Sequence, residues 1–209
     1  NCDGHKYFHQ LAYYLLNALK NKNNLIESNN EKYIFESGLW WDKIENLENI
    51  NKFYNLKINF LRNDIIHKIK LNPEKWIDMI NTISNRFTVI IAPNYVKKYI
   101  KLKYKEFIDI PERDCFLHSG IIISNIRKIL NIHKDKNIVF IFMASMTTNY
   151  IIDYFFNECR DKHFMLDFGS TIDIFIEDDI LDNRRRTPAK GIRRENILKL
   201  YPEDWRKFY

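Results

Sequence analysis

Glycine and proline are scarce in this chain, five of each in 209 residues. With so few natural breaks, the boundaries between elements are soft. The sequence holds no P-loop, no GxGxxG, no zinc-ligand spacing and no serine nucleophile elbow, which removes the commonest signatures of nucleotide and hydrolase chemistry. Cysteine is limited to Cys2, Cys115 and Cys159. An odd number with no metal spacing argues against a disulfide framework and fits a reduced, cytoplasmic setting. No apolar run approaches the ~20 residues that a membrane span needs, and no signal-peptide pattern is present. The peptide NCDGH does not look like a natural start, so a segment is expected to precede Asn1.

What is present is ample core material. Hydrophobic residues make up 45% of the chain and aromatic residues 15%. Most of its length can therefore fold rather than remain disordered. The length suits one α/β domain, 1–209. The abundance of Asn, Lys and Ile reads as genome bias. Net charge is +6. Its clearest concentration is the segment 183–194, with Arg184, Arg185, Arg186, Lys190, Arg193 and Arg194. Such a segment makes phosphate-bearing partners plausible without distinguishing a nucleotide from nucleic acid or an anionic membrane. The tail from 183 onward, ending in Trp205, Phe208 and Tyr209, is expected to pack back on the domain.

Tyr7–Lys20 has apolar residues at 8, 11, 12, 15, 16 and 19, an amphipathic helix. Asn21–Asn30 reads as a loop, Lys32–Phe35 and Ile58–Phe60 as short strands, and Asp42–Ile50 as a helix. Arg62–Ile69 fits helix or strand. Pro73 opens a helix from its first position, with Trp76, Met79, Ile80 and Ile83 on one face. From there the pattern alternates α-β-α-β-α-β-α-β. Phe87–Pro93, Phe107–Pro111, Asn137–Met143 and His163–Gly169 are the strands. In the helix after Cys115, Ile121, Ile122, Ile126, Ile129 and Leu130 are spaced for burial. Alternation of this kind predicts a doubly wound, mostly parallel sheet with helices on both faces. In such folds ligands bind at the carboxyl edge of the strands.

Three turns on that edge carry polar residues. Ser145, Thr147 and Thr148 follow the third strand and could face a phosphate at a helix N-terminus, or Thr147, Thr148 or Asn149 could simply cap the helix. Asp167, Gly169, Ser170 and Asp173 follow the fourth. Asp167 could bond a ribose or satisfy local turn amides. Arg113 and Asp114 follow the second. Arg113 could grip a phosphate bidentately or pair with Glu112, while Asp114 could cap the next helix. Asp3 and His5 are a possible metal pair, or an ordinary Asp-Gly turn. No histidine partner identifies Cys115 as a nucleophile, and His67, His118, His133 and His163 read as surface or core residues.

Taken together, these segments resemble the bacterial and viral glycosyltransferases of the D-type fold. Phe140–Tyr154 resembles that family's strand–turn–helix. Asp167-Phe168-Gly169, with Asp173 after it, resembles its Asp-x-Gly motif. IPERDCF (110–116) is similar to its Val/Ile-Pro-x-x-Asn-Ala-Phe segment, with Asp114 at the Asn place and Cys115 at the Ala place. The residues 1–19 resemble the segment that follows its Gly-Asp-Gly-Glu strand. The family's Asp-x-Glu, which engages metal and sugar nucleotide, is absent, since in Asp3-Gly4-His5 a His stands at the Glu place.

The resemblance implies transfer of a sugar from a nucleotide donor, uridine-linked, to a hydroxyl on a protein or glycan acceptor. It implies Mn²⁺ or Mg²⁺ at the diphosphate, with Asp3 a candidate ligand. Asp167 and Asp173 become candidates for base or ribose contact. Ser145, Thr147, Thr148 and Arg113 would meet the phosphates, with Asp114, Gly169 and Ser170 lining the site. Arg185 and Arg186 belong to a basic segment that could close over the diphosphate. Two other classes stay open: a non-catalytic glycosyltransferase-like scaffold, and a nucleic-acid-binding module using the basic segment. A homo-oligomer is compatible with all of these.

Overall fold

A computed structural model describes residues 8–27, 36–38, 44–57, 61–63, 73–100 and 102–169. Chain order is α1 (His9–Glu27), β1 (Glu36–Gly38), α2 (Ile44–Tyr54), β2 (Leu61–Asn63), α3 (Pro73–Ser84), β3 (Phe87–Pro93), α4 (Val96–Tyr99), β4 (Glu106–Ile110), a 3₁₀ turn (Cys115–His118), α5 (Ser119–Ile132), β5 (Ile138–Phe142), α6 (Thr147–Cys159) and β6 (Phe164–Asp167). The strands β1 and β2 form a parallel pair. The main sheet has the order β4-β3-β5-β6, and every neighbouring pair is parallel. From α3 to β6 the helix–strand alternation read from the sequence is the one observed.

Period-2 alternation divides each central strand between two cores. Ile90, Ala92, Val139 and Ile141 face α3 and α4, packing with Ile80, Ile83 and Val96. Val89, Ile91, Phe140 and Phe142 face α5 and α6, packing with Ile122, Ile126, Ile151 and Phe155. All five residues of β5 are buried, the composition a strand covered on both faces requires. Each large apolar side chain buried here contributes roughly 1.5–3 kcal/mol. Among the described residues no helix is long and apolar enough to cross a membrane.

The winding reverses direction once. The chain leaves β3 across the first face to reach β4, then returns over β3 on the second face through α5 to β5, and continues through α6 to β6. Changing face on reversal keeps every crossover the same hand, which the twist of the strands demands. The reversal leaves β3 and β5 adjacent with connections departing to opposite sides. That is a topological switch point, and it opens a crevice at the carboxyl ends of those two strands.

Three expectations are corrected. The polar stretch 21–30 is helical as far as Glu27. Tertiary contacts override the weak helix propensity of Asn: Asn21 donates to both carboxylate oxygens of Asp153 at 3.2 and 3.0 Å. The Asn23 side chain also accepts from the Lys57 amide at 2.6 Å. Ile121 is 62% exposed rather than buried. It sits in a row with Asn125 and Lys128, away from the Ile122–Ile126–Ile129 stripe. The helix expected at Asp42–Ile50 shifts as well, running from Ile44 to Tyr54 and ending in left-handed Asn55. There Asn55 N–H donates to the Lys52 carbonyl and Leu56 N–H to the Asn51 carbonyl, a Schellman closure. The expected strands at Lys32–Phe35 and Ile58–Phe60 lie outside the described residues, as does the tail from 183.

Candidate functional site

Strand register determines which residues meet at the switch point. Pro93 is level with Ile110, and Ile91 with both Ile108 and Phe142. The ladder continues one residue past β5, where Met143 N–H donates to the Ile91 carbonyl at 2.9 Å. Pro93, Pro111 and Met143 thereby end side by side, and the chain beyond them forms a cleft of about 50 Å³. One wall is Pro111, Glu112, Asp114, Cys115 and Phe116; the other is Met143 to Thr147; Phe8 and Leu11 of the α1 end close the top. A volume of this size holds a few water molecules, or one edge of a larger ligand.

Both walls are held in unusual backbone conformations. Asp114 has φ +51° and Ser145 φ +55°. Left-handed geometry costs a non-glycine residue about 1–2 kcal/mol, and such strain collects where a fold positions ligand-facing groups. At Asn55, the other non-glycine residue with positive φ among those described, helix termination accounts for it. At Asp114 and Ser145 the cleft is the shared feature.

The turn after β5 uses its hydroxyls unequally. Thr148 is fully buried, and its Oγ1 accepts from the Ala144 amide at 3.3 Å. This hydroxyl secures the turn, and Thr148 is not among the residues lining the cleft. Thr147 is also buried and hydrogen-bonds the Cys115 sulfur across the cleft floor. Burial nonetheless pushes the Cys115 thiol up to about 11, which makes it a poor nucleophile at neutral pH. Ser145 is exposed at the mouth. No side chain caps α6, whose preceding residue, Met146, is itself α-helical in φ and ψ. The Thr148 amide donates to the Ser145 carbonyl at 3.0 Å, and the amino end of α6 carries the positive end of the helix dipole.

Aromatic packing fixes α1 over this edge. The rings of Tyr14 and Tyr150 stack at 4.5 Å, Phe8 lies 5.5 Å from Phe116, and Phe116 lies 5.9 Å from Tyr150. Such pairs contribute about 0.5–1.5 kcal/mol beyond their buried area. They explain how a helix remote in sequence supplies Phe8 and Leu11 to the cleft.

The remaining candidates fall elsewhere. Asp167 ends β6, beside Phe142, and is exposed outside the cleft lining. Its Oδ1 accepts from the Gly169 amide at 2.8 Å, and Gly169 has φ +48°. That is the local turn role of the acid. Arg113 is exposed and does not line the cleft, and Asp114 makes no side-chain cap to the following helix. Asp3, Ser170, Asp173, Arg185 and Arg186 lie outside the described residues. Among the described residues no group of three or more His, Cys, Asp or Glu could hold a metal ion.

Phe8, Leu11, Met143 and Met146 were not singled out by sequence as site residues. Their apolar character marks them for the core, and only the register and the docking of α1 reveal that they border a cleft. No protein-family model, no curated protein and no solved structure matches this chain.

Proposed function

We propose that this chain is a glycosyltransferase-like domain that transfers a sugar from a uridine diphosphate donor to a hydroxyl acceptor. One observation carries the reading. Residues of two segments that resemble the D-type glycosyltransferases, Ile110–Phe116 and Phe140–Tyr154, are far apart in sequence yet line a single cleft at the switch point. In the reaction, the acceptor oxygen forms a bond to the anomeric carbon, the bond from that carbon to the phosphate oxygen breaks, and the acceptor proton passes to a carboxylate. The amino end of α6, with the Ser145 hydroxyl, supports charge on the departing diphosphate. Asp167, one strand along the same edge, and Asp173 are the candidate bases. The Mn²⁺ or Mg²⁺ implied by the resemblance would be held by carboxylates outside the described residues, Asp3 among them.

Calorimetric titration of UDP into the chain, with and without Mn²⁺, tests the reading. Saturable binding that tightens with Mn²⁺ is expected. Absence of binding under both conditions overturns it.

A further inference from the structure

Charge is divided unequally between the two edges of the main sheet. The described loops leading into its strands carry seven basic residues and two acidic ones. Arg86 precedes β3, Lys103 and Lys105 precede β4, and Lys134 and Lys136 precede β5. Arg160 and Lys162 precede β6, and all seven are exposed. The described loops leaving the strands carry Arg113 against Glu112 and Asp114. The carboxyl ends of α3, α5 and α6 favour cations at the amino edge, but Lys103 and Lys105 lie beyond the last turn of any described helix. Part of the charge is neutralised locally. Lys136 pairs with Asp135 at 2.7 Å and Arg160 with Asp161 at 3.7 Å. Glu106 lies 3.9 Å from His133, and Glu158 bears on His163. Among the described residues, Arg86, Lys103, Lys105 and Lys134 form no ion pair.

Exposed rings stand among these cations. Tyr104 is flanked in sequence by Lys103 and Lys105, and Phe164, at the start of β6, is 52% exposed. Phe164 shares a strand face with Leu166, and Tyr104 lies 5.8 Å from Phe107; Leu166 and Phe107 both pack on the α3–α4 side. Both exposed rings therefore lie toward one side of the edge. The Arg86 guanidinium reaches across β5 to sit 5.6 Å over the Phe164 ring. The loops also adjoin, with Lys162 Nζ donating to the Lys134 carbonyl and the Lys105 amide to the Thr88 carbonyl. Four strands span about 14 Å at ordinary spacing.

We infer that this amino edge binds single-stranded nucleic acid. The cations track the phosphates, and the rings of Tyr104 and Phe164 stack on bases, which any sequence can supply. The exposed large apolar groups at this edge are these two rings and Ile132, too little for the broad apolar face by which amphipathic segments enter a bilayer. The surface lies on the edge opposite the cleft and is independent of the proposed glycosyl transfer.

Fluorescence anisotropy of a labelled oligothymidylate of about 20 nucleotides, longer than the roughly 4–16 that one such surface covers, measures affinity for the full chain across a salt series. Saturable binding that falls linearly with the logarithm of salt is expected. Lys103→Gln, Lys105→Gln and Lys134→Gln combined should lower the salt slope by about 2, at roughly 0.7 per phosphate contact. Phe164→Ala should weaken binding about tenfold, the loss of one stacked base. Tyr104→Ala carries the same expectation and replaces Phe164→Ala if that variant fails to fold. No binding at the lowest salt overturns the inference. So does binding that survives the lysine changes but is lost with Arg184→Gln, Arg185→Gln and Arg186→Gln combined. Affinity unchanged in both aromatic variants overturns it in favour of unspecific attraction. Capture by phosphatidylserine vesicles without oligothymidylate binding overturns it in favour of a membrane surface.

Discussion

The turns that follow β5 and β6 are neighbours on one sheet edge, and both were candidate sites in the sequence. After β6 the chain places a glycine in the left-handed region and closes the turn on itself, with Asp167 accepting from Gly169 at 2.8 Å. After β5 it places Ser145 in the same region, where only glycine is unstrained, and leaves that residue exposed at a cleft. Cheap geometry at one turn and costly geometry at the other separate a turn that closes on itself from a turn that leaves its strained residue exposed at a cleft.

The largest effect should come from removing what both turns share. Phe142 is fully buried, pairs with Asp167 and precedes Met143. Phe142→Ala should lower unfolding free energy by about 3–5 kcal/mol, measured by urea denaturation. A loss below about 1 kcal/mol would mean that β5 is not the central buried strand.

Substituting the two left-handed residues should then give opposite signs. At Gly169 the nearest atom to an added Cβ is Asp167 Oδ1, at 3.6 Å, so space is adequate. Gly169→Ala should therefore destabilise through conformation alone, by about 1–2 kcal/mol. Ser145→Gly should stabilise by about 0.5–1 kcal/mol, since relief of strain exceeds the added freedom of the unfolded chain. Equal signs in paired denaturation curves would remove the distinction between the turns.

A smaller effect is expected on the opposite edge of the sheet. The Ile138 amide donates to Nδ1 of His163 at 3.2 Å. Burial, with Lys162 adding, holds His163 below its ordinary value of 6.5. The unfolded chain therefore binds this proton at higher pH than the folded chain does. The contribution is complete above 6.5 and is lost as pH falls below it through the folded value. Denaturation midpoints of the unaltered chain should decline between pH 7 and 5 more steeply than those of His163→Gln. Parallel profiles would show that the Ile138–His163 bond does not report on protonation.

The smallest signal is kinetic. Burial pushes Cys115 up to about 11 and Cys159 up to about 12. Neither thiol should react with iodoacetamide at pH 8 in the folded chain on the timescale of an unfolded control. Rapid labelling of Cys115 would mean that the cleft floor opens.

The α/β winding from Pro73 to Asp167 was legible because continuous apolar runs alternate with helical periodicity, and local pattern fixes both. The site was legible only as segments. Sequence placed Asp114, Ser145 and Thr147 on one edge, but the strand order β4-β3-β5-β6 decides that they meet while Asp167 stays aside. Thr148 illustrates the limit: a threonine at a helix start can face a ligand or hold its own turn, and here its Oγ1 is bonded to the Ala144 amide. The aromatic anchoring of α1 depends on contacts across more than a hundred residues, which no local pattern encodes.

The four methionines allow the most direct test of the central claim, that a sugar nucleotide enters the cleft at the switch point. Met143 and Met146 line that cleft, whereas Met79 and Met165 pack against the two cores. Methyl-labelled chain is titrated with UDP-glucose, UDP-galactose and UDP-N-acetylglucosamine in the presence of Mn²⁺. The account predicts that the methyl resonances of Met143 and Met146 shift saturably while those of Met79 and Met165 hold still. Shifts confined to Met79 or Met165, or no shift with any of the three, would contradict it.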